Sequence, residues 1–324
     1  HHMGQHRIAI AGLGSISEYQ IKALEYVDQL ELVAGCDTDR RNLDDFKKRF
    51  SLPAFDSLGD LVSQTKPHSV IISVPNVFHY SVAREVLELG CNILVEKPPT
   101  RTLDEFDQLC RLSYNKQRLF YSCYHFAFSR DLVWFLDYWR GHENALGPVT
   151  GFCAQFFDPY ITNGQLESSR QGLGGSWIDS GINALSVILR ILPDLSIKKA
   201  YFVKGRIHNC SDVKGTVYFS FGGSHNGKIM TDWTSDIKQK RTQLFFSSCG
   251  AKIVLDHNEQ RVICVRGLRG KEETLVDFSS ELPRQIARYI GVFQDFVAHL
   301  HCGRDNSNFS RSCLAYLLQA YRRR

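Results

Sequence analysis

The chain has 324 residues, long for a single hydrophobic core and enough for two domains. Apolar residues make up 43% and charged residues 23%, a globular balance, and no apolar run reaches the roughly 18 residues of a membrane span. The formal net charge of +5 is spread along the chain rather than gathered into the basic patch that grips nucleic acid.

The expected elements of the first half alternate strand and helix. Residues 7–11 form a short apolar run that ends in glycine, and residues 16–27 carry helical spacing at Ile16, Tyr19, Ala23 and Val27. A second strand is expected over 31–37, helices over 42–50 and 58–64, and a buried β-branched strand over 70–74. Helix 79–89 stops at Gly90, strand 92–96 follows, then helix 103–116 and strand 119–122. Repeated β-α units imply a doubly wound parallel sheet, here a Rossmann domain over residues 4–123.

The second half changes character. Strands are expected over 149–157, 197–207, 213–222, 227–235, 242–248 and 252–255, a mostly antiparallel open sheet within an α+β domain over residues 124–324. A long helix over about 177–191 precedes most of them, and helices near 284–301 and 308–322 close the chain, the last placed to pack back on the first domain. An apolar outer sheet face is expected, and with it a homodimer or homotetramer.

His1-His2-Met3 reads as an expression remnant. No apolar leader precedes the first strand, so a cytoplasmic location is expected. The ten cysteines (Cys36, Cys91, Cys110, Cys123, Cys153, Cys210, Cys249, Cys264, Cys302, Cys313) contain no Cys-x-x-Cys pair and read as free thiols in a reducing compartment. Arg322-Arg323-Arg324 reads as a solvated helix end. His299, His301 and Cys302 lack a fourth ligand and read as the exposed last turn of a helix ending at Gly303, so no metal site is expected.

The first strand runs into Gly12-Leu13-Gly14-Ser15-Ile16-Ser17, a G-x-G-x-x-S variant of the dinucleotide fingerprint. Gly12 permits the tight turn. Gly14 lets the backbone approach a diphosphate, which then rests on the helix N-terminus beside Ser15 and Ile16. Asp37 ends the second strand about 20 residues further on, the spacing of a ribose-binding carboxylate. It would repel a 2′-phosphate, so NAD is favoured over NADP, although Arg40 and Arg41 follow closely. The structural alternative is a turn with Asp37 as a loop cap.

Three further segments carry a family resemblance: Pro75-Asn76-Val77-Phe78-His79, Glu96-Lys97-Pro98, and Gly174-Gly175-Ser176-Trp177-Ile178-Asp179-Ser180-Gly181-Ile182-Asn183. With the glycine turn, the chain resembles the glucose–fructose oxidoreductase / inositol dehydrogenase family, Gfo/Idh/MocA, over nearly its whole length. The resemblance implies that Lys97 points to the substrate hydroxyl beside the nicotinamide. It also implies that Pro75, Asn76, His79 and Glu96 lie near the cofactor. Where the family pattern is Asp-x-Gly-x-His, this chain has Asp179-Ser180-Gly181-Ile182-Asn183, and an asparagine cannot shuttle a proton. Gly181–Ser186 followed by Arg190-Ile191-Leu192-Pro193 is similar to the aldose 1-dehydrogenases acting on L-arabinose and D-galactose. That subgroup implies His125 and Trp233, expected in a strand, on the sugar side.

Asp179 and Asn183 stand four apart and share a helix face. Asp179 is read as base, Asn183 as positioner, and Lys97 as the group that polarises the hydroxyl or relays its proton. The bland alternatives are a capping box for Ser176-x-x-Asp179, a surface lysine at Lys97, helix caps at Asn76 and His79, and core roles for His125 and Trp233. The leading expectation is NAD-dependent oxidation of an aldose at C1 to the lactone. The rivals are a keto-sugar or cyclitol oxidoreductase and a non-catalytic NAD-binding regulator.

Overall fold

The computed structural model describes residues 4–247 and 250–323; His1–Met3, Cys249 and Arg324, read above from sequence, lie outside the described residues. The chain divides into two compact units. One comprises residues up to Tyr124 with Tyr289–Ser312, and the other His125–Arg288 with the residues after Ser312.

The first unit alternates β1 (His6–Ala11), α1 (Ser15–Leu24), β2 (Leu30–Cys36), α2 (Arg40–Phe50), β3 (Ala54–Phe55), α3 (Leu58–Thr65), β4 (Ser69–Ile72), α4 (His79–Glu88), β5 (Asn92–Glu96), α5 (Leu103–Asn115) and β6 (Phe120–Cys123). The strands form one parallel sheet in the order β3-β2-β1-β4-β5-β6, which reverses direction at β1. Ile8, Ile10, Val70–Ile72 and Ile93–Val95 are fully buried, as strands covered on both faces must be. Local chemistry sets the helix starts. Asp39, Ser57 and Thr102 accept bonds from Arg41 N, Asp60 N and Glu105 N, capping α2, α3 and α5. Helix α2 therefore begins before the expected residue 42, because its cap precedes its apolar stripe.

The second unit opens with α6 (Arg130–Gly141) and α7 (Glu143–Leu146), then β7 (Val149–Pro159), the hairpin β8 (Ile161–Thr162) and β9 (Gln165–Leu166), and α8 (Ile182–Ile191). There follow β10 (Ser196–Val203), β11 (Lys214–Phe221), β12 (His225–Asp232), β13 (Thr234–Phe246), β14 (Lys252–Asp256), β15 (Arg261–Arg266) and β16 (Lys271–Asp277). Helices α9 (Arg284–Cys302) and α10 (Ser307–Tyr321) end the chain. The eight-stranded sheet has the order β10-β11-β12-β7-β13-β14-β15-β16, antiparallel except where β12 meets β7. Helix α6, the hairpin, β15 and β16 are absent from the sequence reading. Their signals are present: Asn163-Gly164 between β8 and β9 is a hairpin dipeptide, and Gly267 and Gly270 bracket the turn between β15 and β16.

The inward residues of β7 and β11, among them Phe152, Ala154, Phe156, Val217 and Phe219, are buried, while alternate residues face outward. The expected apolar outer face is not what the sheet presents. Rows such as Tyr218–Lys228–Cys153–Gln243 and Thr216–Met230–Gln155–Arg241 mix long polar and charged side chains with apolar ones. Strand alternation buries one face and leaves the composition of the other free.

A buried polar chain ties α6 into this unit. His257 Nδ1 lies 2.5 Å from Asp131 Oδ2, its Nε2 lies 2.9 Å from Thr242 Oγ1, and the Ser129 hydroxyl donates to Asp131 Oδ1. The residue types are those of a nucleophile–base–acid triad, but each residue is 1% exposed or less, so the chain is structural. Removing one member strands its partners without water. Asp131→Ala is expected to lower stability by about 3 kcal/mol, read from the denaturant midpoint at neutral pH.

Candidate active site

Gly12 (φ +95°) sits where a Cβ would fall 2.5 Å from Ser73 C and 2.6 Å from Val74 N, so only glycine lets β1 turn against the end of β4. Gly14 precedes the first turn of α1, and a Cβ there would meet nothing of the protein within 4 Å. Gly14, Ser15 and Ile16 are exposed, so the helix N-terminus, with its unpaired N–H groups, faces open space. Ser17, at the fingerprint's third position, is buried, and its hydroxyl donates to Gly14 O at 2.6 Å. It fits because it is small and folds its polar atom back on the turn.

The Asp37 carboxylate accepts from Leu13 N (2.8 Å), Asp39 N (2.8 Å) and Asn42 Nδ2 (3.1 Å), which aims it across the glycine turn. Arg40 and Arg41 do not reach it. Both are largely exposed and pair with Asp44 and Asp39 at 3.7 and 3.6 Å. The open turn, the helix end and an uncompensated carboxylate together fit a dinucleotide whose ribose carries free hydroxyls.

Pro75 and Asn76 lead into α4 through a 3-10 turn. His79 is 1% exposed, with Nδ1 at 2.7 Å from Pro98 O and Nε2 at 2.9 Å from Val74 O. The ring thus ties the ends of β4 and β5 together. Burial lowers its pKa, the nearby Lys97 charge adds to this, and the two carbonyls oppose it. Glu96 is also inside the unit: Oε1 accepts from Gln20 Nε2 (2.8 Å) and Tyr289 OH (2.5 Å), and Ser73 Oγ donates to Gln20 Oε1. Burial raises the Glu96 pKa against the pull of Tyr289, Lys97 and Gln20. His79 and Glu96 therefore serve as supports behind Lys97, which is half-buried at the end of β5 with its peptide to Pro98 in the cis form.

In the second unit the expected single long helix begins as a π-helical turn, Trp177–Gly181, before α8. Such turns insert one residue into a helix. Asp212, fully buried, holds this start: Oδ2 accepts from Ser176 Oγ (2.6 Å) and Trp177 N (3.0 Å), and Oδ1 from Tyr321 OH (2.6 Å). Ser176 spends its hydroxyl there and on Thr231, so the capping-box alternative for Asp179 does not apply. Gly181 is required because a Cβ would fall 2.5 Å from the Trp177 ring.

Asp179 is half-buried in the turn, and Asn183 is 5% exposed with no partner for Oδ1 among the described residues. Ser180 Oγ donates to Asp158 Oδ2 at 3.0 Å. Tyr160 lies near both Asp158 and Asp179; burial first, then those two charges, raise its phenol pKa. Asp158, Tyr160, Lys238 and Lys240 were not found from sequence. Only the alternation of β7 and β13 hints that they share the inner face.

Two expectations fare differently. His125 lies in the 3-10 turn His125–Phe128, half-buried, its ring 5.0 Å from that of Phe126. Trp233 is not in a strand but at the bend between β12 and β13. It is 1% exposed and packs with Tyr160, Cys210 and Val213. The structure does not bring Trp233 to a surface, because the bend turns the indole inward.

A doubly wound sheet with this turn defines a dinucleotide-binding unit, joined to an open-sheet unit carrying polar groups on a π-turn. Residues 6–124 match the family described as "Oxidoreductase family, NAD-binding Rossmann fold", GFO_IDH_MocA. D-glucoside 3-dehydrogenase of Escherichia coli K12 is 26% identical over 202 residues, 59% of this chain and 55% of that enzyme. The chain thus matches about half the length of that relative. A 3-ketoreductase of Actinomadura kijaniata, solved with NADP and TDP-benzene, superposes with a TM-score of 0.84 at 16% identity, covering 99% of this chain and 98% of that one. UDP-N-acetylglucosamine 3-dehydrogenase of Acidithiobacillus ferrooxidans gives 0.78 at 16% identity, covering 98% and 97%. These structural likenesses are likenesses of fold.

Gly12→Ala is expected to abolish NAD binding in a fluorescence titration, since the β1 turn cannot close. Glu96 gives a pH prediction. Its folded pKa is raised, so its contribution to stability is full below the ordinary carboxylate range. That contribution is lost as pH rises through the raised value. Glu96→Gln keeps an acceptor for Tyr289 and Gln20, and should flatten the fall in stability above about pH 4.5, measured by denaturation across pH.

Proposed function

We propose that this protein is an NAD-dependent sugar dehydrogenase that oxidises an aldose at C1 to the lactone. The observation that carries this reading is the Asp179–Asn183 pair: Asn183 offers a buried, unpartnered Oδ1 where the family pattern has a proton-shuttling histidine. An acceptor so placed suits a sugar hydroxyl, and leaving it unmade would cost about 1–3 kcal/mol. Asp179 takes the hydroxyl proton, Asn183 holds the sugar, and Lys97 polarises the hydroxyl or relays its proton. NAD, held by the Gly12–Gly14 turn and Asp37, would supply the acceptor for the hydride from C1. The C–H electron pair goes to the cofactor, the proton to Asp179, and a C=O bond forms.

The Asp37 carboxylate, free of Arg40 and Arg41, supports NAD over NADP. A second reading, oxidation at C3 or reduction of a 3-keto sugar, is favoured by the names of the relatives. A non-catalytic regulator would keep the glycine turn and Asp37 without needing Lys97, Asp179 and Asn183.

Rates with a panel of aldoses and their methyl glycosides separate these readings. Oxidation at C1 requires a free anomeric hydroxyl, so the glycosides should be inert and the product should hydrolyse to an aldonate. Turnover of a methyl glycoside would select C3, and no turnover of any sugar or cyclitol would leave the regulator. Lys97→Met is expected to lower kcat by about 100-fold or more while NAD still binds. Asp37→Ala is expected to lower kcat/KM for NAD by about 10-fold and to narrow its advantage over NADP.

A further inference from the structure

The inner face of the second unit's sheet gathers more positive than negative charge beside the π-turn. Lys238 and Lys240 stand two apart on β13 and both reach Asp158 on β7, at 3.8 and 3.0 Å. Lys240 is buried and shares the tighter contact, its ammonium also 5.4 Å from the Phe126 ring centroid. Lys238 keeps 37% of its side chain exposed, because β13 leaves its regular pairing with β7 between Thr234 and Gln239. One carboxylate therefore serves two ammonium groups.

Arg170 stacks over the Tyr160 ring at 4.3 Å and pairs with Glu167 only at 3.6 Å. The Lys238 pKa is lowered, by burial first, then by Lys240, Arg284 and Arg170, against the pull of Asp158. For Asp158, burial acts upward, but Lys240, Lys238 and Ser180 outweigh it and the net shift is downward. The facing groups are thus four cations, Lys238, Lys240, Arg170 and Arg284, against the carboxylates of Asp158, Glu167 and Asp179. Like charges so arranged, with an exposed ammonium among them, are relieved by an anion.

We propose that Lys238 and Arg170, backed by the Lys240–Asp158 pair, form an anion-binding subsite, and that the sugar this protein acts on carries a carboxylate or phosphate ester. This rests on the sugar dehydrogenase reading above and narrows its substrate class. Lys238 provides a point charge, and Arg170, held flat by Tyr160, a planar fork suited to either anion.

The test measures binding to the NAD-loaded protein at low ionic strength by calorimetry. The probes are glucose, glucuronate, glucose 6-phosphate, the galactose counterparts and inorganic phosphate, with turnover followed in parallel. A charged sugar is expected to bind about 10-fold or more tightly than its neutral parent, one charge-assisted contact being worth that much. The uronate and phosphate arms show which anion is preferred. Lys238→Gln should bring the charged-to-neutral ratio close to one, and Lys238→Arg should restore it.

Equal binding of charged and neutral sugars overturns the inference, as does a ratio that Lys238→Gln leaves intact. Failure of both the charged sugars and inorganic phosphate to bind also overturns it, whether or not neutral sugars are oxidised. If a sugar phosphate or uronate binds in a Lys238-dependent way but no sugar is oxidised, the dehydrogenase reading alone falls.

Discussion

The buried carboxylate of Asp212 is the constraint on which the second unit's chemistry rests. Taking a carboxylate fully out of water is tolerated only when its lone pairs are filled, and Ser176, Trp177 and Tyr321 fill them. The same bonds hold the start of the π-turn and tie it to the end of α10. With that start held, Trp177 is packed against Gly181, and Asp179 and Asn183 are presented with little freedom. Asp212 lies far along the chain from the turn it holds, so a local pattern such as Ser176-x-x-Asp179 carries no sign of it.

The first unit follows the same logic on the cofactor side. Lys97 stands on a strand end whose neighbours are locked from below. Glu96 is bound by Gln20 and Tyr289, and His79 bridges the carbonyls of Val74 and Pro98. Glu96 and His79, whose sequence positions suggest contact with the cofactor, bond within the first unit on either side of Lys97 in the chain. Buried side chains with their bonds made hold the strand end in one geometry, which is what a preorganised site requires of its frame.

The second unit uses charge differently. Its buried Asp131–His257–Thr242 chain is saturated and serves stability. In the Asp158–Lys238–Lys240 group, two lysines share Asp158, and Lys238 stays partly exposed. Buried polar groups with complete partners rigidify a fold, whereas an incomplete one calls for a specific explanation. Asn183 Oδ1 belongs with the second kind.

The amino-acid sequence by itself determined the alternating first unit and the glycine turn with its acidic strand end. Each of these is written in local periodicity or in a short motif whose residues act within one turn of chain. Lys97, Asp179 and Asn183 are candidates from sequence because they sit inside such motifs. Only the tertiary structure decided the π-turn, the inward burial of Trp233, the support roles of Glu96 and His79, and the gathering of Asp158, Tyr160, Lys238 and Lys240. Those depend on which strands pair and which side chains meet across the sheet. Pairing partners distant in sequence leave no periodic trace in either strand alone.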